Sequence, residues 1–402
     1  MQSATALSPL KNSARALAMT DGAIGAGFGI YLHWPYCLAK CPYCDFNSHV
    51  ARSVNQRDWA KAFVSELEHY ALETPERVVN SVFFGGGTPS LMEPALVETI
   101  IACIAENWRL AQDVEISLEA NPTSIETGKF RDFRAAGINR VSVGIQALND
   151  NDLRRLGRQH DHKEALAAID IARNVFTRTS FDLIYARQDQ TLSEWEAELS
   201  RALSLDLDHL SLYQLTIEPE TVFGRRFAAN RLAGLPDDDL SAEMYEVTQD
   251  ICEAAGLPAY EVSNHARPWA QSRHNMIYWR SGDYLGIGPG AHGRLTLNST
   301  RYATDTELNP DIWRLAAEGG VGEKSRVMLS ETDRVTEYVM MSLRLSEGAD
   351  LARLKRMGGA LNVAKVDELT TYGLLLQENN RLIVTKSGRM VLNAITRTLL
   401  LD

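Results

Sequence analysis

Residues 31–44 read YLHWPYCLAKCPYC, and this stretch decides how the rest of the chain is interpreted. It holds Cys37, Cys41 and Cys44, which are three of the five cysteines in a chain of 402 residues. Four thiolates would close a structural zinc site, whereas three thiolates can hold a cubane iron–sulfur cluster and leave one iron for a non-protein ligand. The spacing therefore favours a metal centre with one open coordination position.

The cysteines could instead form a disulfide, bind zinc or lie buried in the core. A disulfide is disfavoured because the cysteine count is odd, no secretory signal precedes the motif, and thiols inside a cell stay reduced. A zinc ion stays open as an alternative, because His33, His49 or Asp45 could provide a fourth ligand. Cys103 and Cys252 lie in apolar helical stretches, so we expect them to be buried in the core and not to bind metal.

The cysteine spacing, with Tyr43 just before the third cysteine, resembles the signature of radical S-adenosylmethionine (SAM) enzymes. This resemblance implies a 4Fe–4S cluster bound by Cys37, Cys41 and Cys44. It further implies that the free iron binds the amino and carboxylate groups of SAM, and that Tyr43 lies near the adenine.

Composition narrows the class of protein. Hydrophobic residues make up 45% and charged residues 23%, as in ordinary globular proteins, and the length favours one large domain plus a smaller one. A net charge of −11 disfavours an extended nucleic-acid surface, and no apolar run reaches the roughly 18 residues of a membrane span. We therefore expect a cytoplasmic protein that binds no nucleic acid and has at most peripheral membrane contact.

Residues 1–27 are predicted to be a flexible tail, although their few basic residues and late first acid are also features of an organellar transit peptide.

Short apolar runs alternate with helical stretches after residue 28. The predicted strands are Phe28–Trp34, Val79–Phe84, Val114–Leu118, Arg140–Ile145, Ser180–Ile184 and His209–Leu215. The predicted helices are Arg57–Leu72, Pro94–Asn107, Glu126–Ala136, Lys163–Val175 and Leu192–Leu205. Such alternation is typical of parallel βαβ units with right-handed crossovers. Residues 28–236 are therefore predicted to form an α/β fold, an open partial (β/α)6 barrel.

Polar groups follow several of these strands, where barrels of this kind carry their reactive loops. Residues 85–89 read GGGTP, and glycine lets a ligand approach the backbone closely. Glu119 and Gln146 end the third and fourth strands, and a buried acid needs a partner such as an amine or a hydroxyl. Arg158 could bind a carboxylate through a bidentate fork, and Asp182 lies near the end of the fifth strand. A structural ion pair is the alternative for Arg158 and for Asp182.

The second half of the chain divides into two predicted regions. Residues 237–308 are predicted to be a connecting region with a helix near Asp238–Ala255, a short strand at Tyr260–Asn264, and tight bends in the glycine-rich residues 286–293. Residues 309–402 are predicted to be a smaller winged-helix-like α+β domain, because helix, strand, turn, strand and helix patterns follow one another from Val366 to Leu401. This domain lacks a helix dense in Lys and Arg, so we expect packing or partner docking rather than nucleic-acid binding.

From Phe28 onward the chain resembles the HemW family of heme chaperones, which is related to the oxygen-independent coproporphyrinogen III dehydrogenase HemN. The resemblance rests on the cysteine loop, residues 85–89, residues 260–264 and an HNxxYW motif formed by His274, Asn275, Tyr278 and Trp279. It implies SAM contacts from Tyr31, Tyr43, Gly86, Gly87, Thr88, Glu119, Gln146, Arg158 and Asp182. Where the family usually reads Gly-Leu-Pro-Gly after the fifth strand, residues 186–189 read ARQD, which predicts a differently shaped loop.

Two features favour the chaperone over its relative. The dehydrogenase has a further cysteine two residues after the third, where this chain has Phe46, and a longer N-terminal substrate-binding extension. The HNxxYW motif belongs to the chaperone. The resemblance thus implies a protein that binds heme and delivers it to apo-hemoproteins such as respiratory-chain enzymes, and it leaves a homodimer open.

Two enzyme classes stay as alternatives: oxidative decarboxylation of a porphyrinogen, and chemistry on another small substrate that no motif supports. Imidazole is a usual axial ligand of heme iron. His274 is therefore the predicted heme ligand, with His265 and His292 as local rivals. The competing interpretation of His274 is a hydrogen-bonded histidine that only supports its loop.

Overall fold

An eleven-stranded sheet forms the frame of the molecule in the computed structural model, which describes residues 24–400. Its strands in chain order are β1 (Phe28–Trp34), β2 (Val78–Gly86), β3 (Arg109–Ala120), β4 (Arg140–Gln146), β5 (Arg178–Tyr185), β6 (His209–Gln214), β7 (Asn264–Ala266), β8 (Asp283–Ile287), β9 (His292–Leu297), β10 (Thr300–Thr306) and β11 (Glu323–Met328). Their spatial order is β11-β10-β9-β8-β1-β2-β3-β4-β5-β6-β7. Pairs from β8 to β6 are parallel, and the remaining pairs are antiparallel.

Helices connect and cover these strands. They are α1 (Gln56–Glu73), α2 (Pro94–Asn107), α3 (Ser124–Thr127), α4 (Phe130–Ala135), α5 (Asp150–Arg155), α6 (His162–Val175), α7 (Leu192–Leu203), α8 (Val222–Ala228), α9 (Asp238–Ala254), α10 (Arg273–Trp279) and α11 (Pro310–Glu318). Side chains alternate across β1, so Ile30 and Leu32 pack into the helix-covered core, whereas Tyr31 and His33 face the inside of the barrel. No helix among residues 24–400 has the length and apolarity needed to cross a membrane.

The α/β partial barrel predicted from the sequence is confirmed, with two differences. A seventh parallel strand, β8, pairs with β1 on the side away from β2, and the antiparallel strands β9–β11 extend the sheet further. The tight bends expected across residues 286–293 occur only at the β8–β9 turn, where Gly288 and Gly290 have φ angles of 104° and 77°. The helix predicted at Glu126–Ala136 is broken into α3 and α4, and the strand predicted at Tyr260–Asn264 forms at β7 instead. Most of the predicted tail, residues 1–23, lies outside the described residues.

The C-terminal part has its own small core. It comprises α12 (Glu331–Ser342), β12 (Ala349–Asp350), α13 (Leu351–Arg356), α14 (Val363–Thr371), β13 (Leu375–Glu378), β14 (Arg381–Val384), α15 (Lys386–Arg389) and α16 (Leu392–Leu400). The predicted order of helix, strand, turn, strand and helix is confirmed. Asn379 and Asn380 form the turn with φ angles of 49° and 63°, the backbone that a two-residue hairpin turn requires.

An aromatic cluster joins α1 to α11 behind β1. The rings of Trp59 and Trp313 stack with centroids 5.2 Å apart, and Trp313 Nε1 donates a hydrogen bond of 3.0 Å to Glu66 Oε2. Trp313 is fully buried, so its removal leaves a large cavity and takes a donor away from a buried carboxyl.

We expect Trp313→Ala to lower the free energy of unfolding by about 3–5 kcal/mol, measured by urea denaturation of the cluster-free chain. Trp269→Ala serves as the matched control, because Trp269 is 70% exposed and its loss should change stability by less than about 0.5 kcal/mol. Equal stability of the two variants would contradict this role of the cluster.

Candidate functional site

The cysteine loop begins directly after β1, at the carboxyl end of the parallel strands. Backbone hydrogen bonds fix it: His49 N donates to Pro35 O at 2.7 Å, and Cys44 N donates to Cys41 O at 3.2 Å. Cys37, Cys41 and Cys44 are half-buried free thiols that line one pocket. The structure therefore brings the three predicted cluster ligands to a common space.

Polar donors approach two of these thiols. Thr88 Oγ1 donates to Cys37 Sγ, and Arg158 Nη1 donates to Cys41 Sγ, each at 3.3 Å. Burial raises the pKa of the Cys37 and Cys44 thiols, so stable thiolates here need additional positive charge. A bound metal centre provides such charge and deprotonates its thiols.

The arrangement of the three thiols fits a cluster, and zinc stays the alternative to be tested. Within residues 24–400, no three His, Cys, Asp or Glu side chains converge as ligands of one metal ion, although a zinc ion would need its thiolates about 2.3 Å from the same metal. Both nitrogens of His33 are also engaged, Nδ1 with Tyr31 OH at 3.0 Å and Nε2 with Asn47 O at 2.9 Å. Three thiols that face one pocket but not one point fit a cubane, in which each thiolate binds a different iron.

The glycine segment at the end of β2 forms the adjacent wall. Gly86 has a φ angle of 108°, and a Cβ there would lie 2.6 Å from the ring of His33. A Cβ on Gly87 would lie 2.8 Å from Tyr36 O. Neither position accepts a side chain, so glycine lets this segment pack closely against His33 and the start of the cysteine loop.

Two carboxyl groups from neighbouring strands face the same pocket. Burial, and then the nearby Asp182, raise the pKa of Glu119 to about 8. Burial also raises the pKa of Asp182, which accepts a hydrogen bond of 3.1 Å from Ser142 Oγ. Glu119 accepts a long bond of 3.3 Å from Gly86 N. Buried acids with so few donors suit a ligand that brings an amine or hydroxyl groups.

Gln146 and Arg158 complete the pocket. Gln146 has a φ angle of 72°, which is strained for a residue other than glycine, and its buried Oε1 has no partner in the described part of the chain. Arg158 Nη2 donates to Gly144 O at 2.8 Å and to Asn121 Oδ1 at 2.5 Å. Neither Arg158 nor Asp182 is in an ion pair within residues 24–400, so the structural ion-pair alternative is not observed. Arg158 Nε is buried and finds no hydrogen-bond partner among the described residues, so it is free for a carboxylate.

The HNxxYW motif lies elsewhere, on α10 inside the barrel and away from the pocket. His274 is 1% exposed, and its ring stacks on Phe83 with centroids 4.9 Å apart. Nδ1 bonds Ser81 Oγ at 2.8 Å, and Nε2 bonds Tyr278 OH at 2.7 Å. Burial, and then Arg140, lower the pKa of His274 to about 3. The ring is therefore neutral, and in this conformation it offers no free nitrogen to an iron.

The other motif residues support their surroundings. Asn275 Nδ2 donates to Tyr260 OH at 3.3 Å, and the ring of Trp279 lies 5.5 Å from the guanidinium of Arg344. Tyr31 stacks on His274 with centroids 6.2 Å apart, so it lies between the motif and the pocket and does not line the pocket. Of the two rival histidines, His265 is buried, whereas the exposed His292 pairs with Asp305 at 2.5 Å.

A second cavity of 850 Å³ opens beside the cysteine pocket, between the barrel and the C-terminal part. Six residues line both spaces: Tyr43, Cys44, Phe46, Glu119, Gln146 and Asp182. Its opposite wall contains Arg344, Arg389 and Met390, which sequence reasoning missed. No motif marks these residues, and Arg344 and Arg389 meet only through the tertiary fold.

The loop at residues 186–189 differs from the usual family pattern through an ionic contact. Arg187 is buried and pairs with Asp152 at 2.8 Å and with Glu198 at 2.5 Å. Ala186 and Asp189 both have a φ angle of 56°. The loop thus points its arginine into the protein and away from the cavity.

Comparisons with known proteins cover almost the whole chain. Residues 31–202 match the family described as Radical SAM superfamily, and residues 329–391 match the HemN C-terminal domain. The heme chaperone HemW of Escherichia coli (strain K12) is 36% identical over 378 residues, which are 93% of this chain and 98% of that protein. The radical S-adenosyl methionine domain-containing protein 1, mitochondrial, of Danio rerio is 36% identical over 386 residues, 93% of this chain and 87% of that protein.

The folds also agree. Coproporphyrinogen III oxidase (HemN) from Escherichia coli, a radical SAM enzyme, superimposes with a TM-score of 0.79 at 23% identity, over 96% of this chain and 93% of that one. At this identity the likeness establishes the fold. It includes the C-terminal part that closes the second cavity.

Proposed function

Because the chain belongs to the HemW family of radical SAM proteins, we propose that it is a heme chaperone, which binds heme and delivers it to apo-hemoproteins. The proposed cofactors are a 4Fe–4S cluster on Cys37, Cys41 and Cys44, and SAM in the adjoining pocket. When bound, the cluster supplies a free iron to the amine and carboxylate of SAM. The dehydrogenase alternative has the support of fold alone.

One observation carries the proposal of heme binding: the 850 Å³ cavity beside the cysteine pocket. Pockets of about 300–1,000 Å³ enclose small molecules and cofactors, with apolar walls and a few placed polar groups. This cavity has apolar contributions from Ile184, Leu215, Val262 and Leu392, together with tyrosine rings. A flat apolar ring system fits such a space better than a small polar substrate does.

The residues of the cysteine pocket have proposed roles that follow from their surroundings. Glu119, beside the backbone of Gly86, binds the amine of SAM, and the Nε atom of Arg158 faces its carboxylate. Gly87 and Thr88 border the methionyl part, while Tyr43 and Gln146 border the adenosyl part. Asp182 is the proposed partner of a ribose hydroxyl. Tyr31 acts indirectly, since its hydroxyl holds the ring of His33 under Gly86.

The proposal also covers the heme acceptors, the oligomeric state and the cellular compartment of the protein. We propose respiratory-chain enzymes as acceptors, with contact at the membrane surface only, and a homodimer as the form to test first by size-exclusion chromatography. The five free thiols suit a reducing compartment such as the cytoplasm. His274 as axial ligand stays a prediction, and it would require one of the two ring hydrogen bonds, to Ser81 or to Tyr278, to break.

The proposal is tested by titrating the anaerobically reconstituted chain with heme. We expect a saturable Soret band at about one heme per chain, because the 850 Å³ cavity is large enough for one tetrapyrrole. The band should move to an added apo-hemoprotein on mixing. The same preparation, given coproporphyrinogen III, SAM and a reductant, should form no protoporphyrinogen IX. Absence of saturable heme binding, or repeated turnover of the porphyrinogen, would contradict the chaperone.

A further inference from the structure

We infer that Arg344 and Arg389 bind the two carboxylates of a tetrapyrrole at the C-terminal wall of the 850 Å³ cavity, and that the HNxxYW motif positions this wall and does not ligate the iron. The inference rests on the proposed function. It adds the chemistry by which the ligand is recognised.

The first step concerns the two arginines themselves. Arg389 Nη1 donates to the backbone carbonyl of Arg344 at 3.5 Å, and both arginines line the same side of the cavity. Neither is in an ion pair within residues 24–400, although the chain has 52 acidic against 41 basic residues. Arg344 Nε is buried without a hydrogen-bond partner. Two adjacent half-buried cations without an acid are costly unless an anionic ligand joins them.

The second step concerns the polarity of the cavity. Glu119, Asp182, Glu218 and Asp238 all lie on the lining outside this C-terminal wall. Arg344 and Arg389 are the basic residues of this lining in the described part of the chain, so an anionic ligand end is attracted to the arginine wall and finds no cation elsewhere in the cavity. Heme and protoporphyrin IX have both propionates on one edge of an apolar disc, so the charges specify one orientation. Arginine binds carboxylates through paired, charge-assisted hydrogen bonds.

The third step assigns the HNxxYW motif a role in positioning Arg344. Trp279 lies under the guanidinium of Arg344 at 5.5 Å, a separation at which a cation is attracted by an aromatic face. Next to it, Arg280 bonds Glu347 through two contacts of 2.8 Å, which ties α10 to the segment that carries Arg344. His274 anchors the same helix to Ser81 from inside the barrel. Trp279 is thus a positioning residue, and His274 fixes the helix that presents it.

The fourth step follows from the lining. No histidine borders the cavity in the described part of the chain, and the thiol of Cys44, which does border it, is assigned to the cluster. Affinity should then depend on the carboxylates more than on the metal. Iron-free protoporphyrin IX should bind nearly as tightly as heme.

The test compares protoporphyrin IX with its dimethyl ester, in the same detergent, by fluorescence titration of the cluster-loaded chain. Arg344→Gln and Arg389→Gln should each weaken binding of the diacid on the order of tenfold, the loss expected for one charge-assisted contact. The ester should bind weakly to every variant. Arg356→Gln is the control, since Arg356 is exposed on α13 and does not line the cavity. Arg344→Lys should recover part of the affinity.

A second readout separates positioning from ligation. Trp279→Leu should weaken the diacid and leave the ester unchanged, and the Soret maximum of bound heme should not move in His274→Ala. Diacid binding that ignores both arginine substitutions would overturn the inference, and so would a Soret shift in His274→Ala with unchanged porphyrin affinity. If the unaltered chain binds neither porphyrin nor heme, that result contradicts the proposed function and therefore also this inference.

Discussion

Single alanine substitutions of Cys37, Cys41 or Cys44 are expected to abolish cluster assembly, because each thiolate is proposed to hold a different iron. The unaltered chain should take up about four iron and four sulfide after anaerobic reconstitution. The thiols are half-exposed in a loop, so the variants should keep their circular dichroism spectrum. Iron content and visible absorbance are the measurements.

Cys103→Ala and Cys252→Ala are the matched controls. Both side chains are buried in the apolar core, so their loss should lower stability a little and leave iron binding intact. A cluster that survives in any of the three loop variants would contradict the ligand assignment. Stoichiometric zinc without iron absorbance in anaerobically prepared protein would restore the zinc alternative.

The sequence predicts the barrel well because its strands are continuous apolar runs whose pattern is local. β8 escaped prediction because its sequence DYLGI contains an acid and a glycine. The strand is stabilised instead by distant partners: Asp283 is buried and pairs with Arg77 at 2.7 Å and with Arg301 at 2.9 Å. These ion pairs join three separate parts of the chain, so no local sequence pattern could predict them.

Part of the candidate site could likewise be predicted from the sequence, and part of it is visible only in the tertiary structure. Glu119 and Gln146 could be placed in one pocket from sequence, since the carboxyl ends of parallel strands share one edge of a barrel. Recognition of the HNxxYW motif identified His274 but not its surroundings, and only the fold shows that Ser81 and Tyr278 already use both ring nitrogens. Arg344 and Arg389 have no motif, and their meeting depends on how the C-terminal part packs on the barrel.

Glu119→Gln is expected to weaken SAM binding on the order of a hundredfold at pH 8.5, because the amine of SAM would lose its carboxylate partner in a buried site. In the ligand-free chain the pKa of Glu119 is raised to about 8, so the carboxyl is mostly protonated at pH 6.5 and must lose its proton to accept a hydrogen bond from the amine of SAM as a carboxylate. Affinity of the unaltered chain should therefore rise roughly tenfold per pH unit up to about pH 8 and then level off.

The raised pKa of Glu119 also affects the stability of the ligand-free chain, where the substitution has an effect opposite to its effect on SAM binding. A carboxyl whose pKa is higher in the folded state destabilises that state increasingly as pH rises from its ordinary range to about 8, and has no such effect below that range. Glu119→Gln should accordingly stabilise the ligand-free chain at pH 8.5, even though it impairs SAM binding. Opposite effects on stability and on binding distinguish a ligand-binding carboxyl from a structural one.

The measurement is the paramagnetic resonance spectrum of the reduced cluster, titrated with SAM at pH 6.5, 7.5 and 8.5. Glu98→Gln is the control, since Glu98 is exposed on α2 and should leave both affinity and its pH dependence unchanged. An unchanged spectrum at saturating SAM would mean that this pocket does not place SAM on the cluster. A Glu119→Gln variant that keeps the tenfold rise per pH unit would instead assign the titration to another group, with Asp182 the next to test because burial raises its pKa in the same pocket.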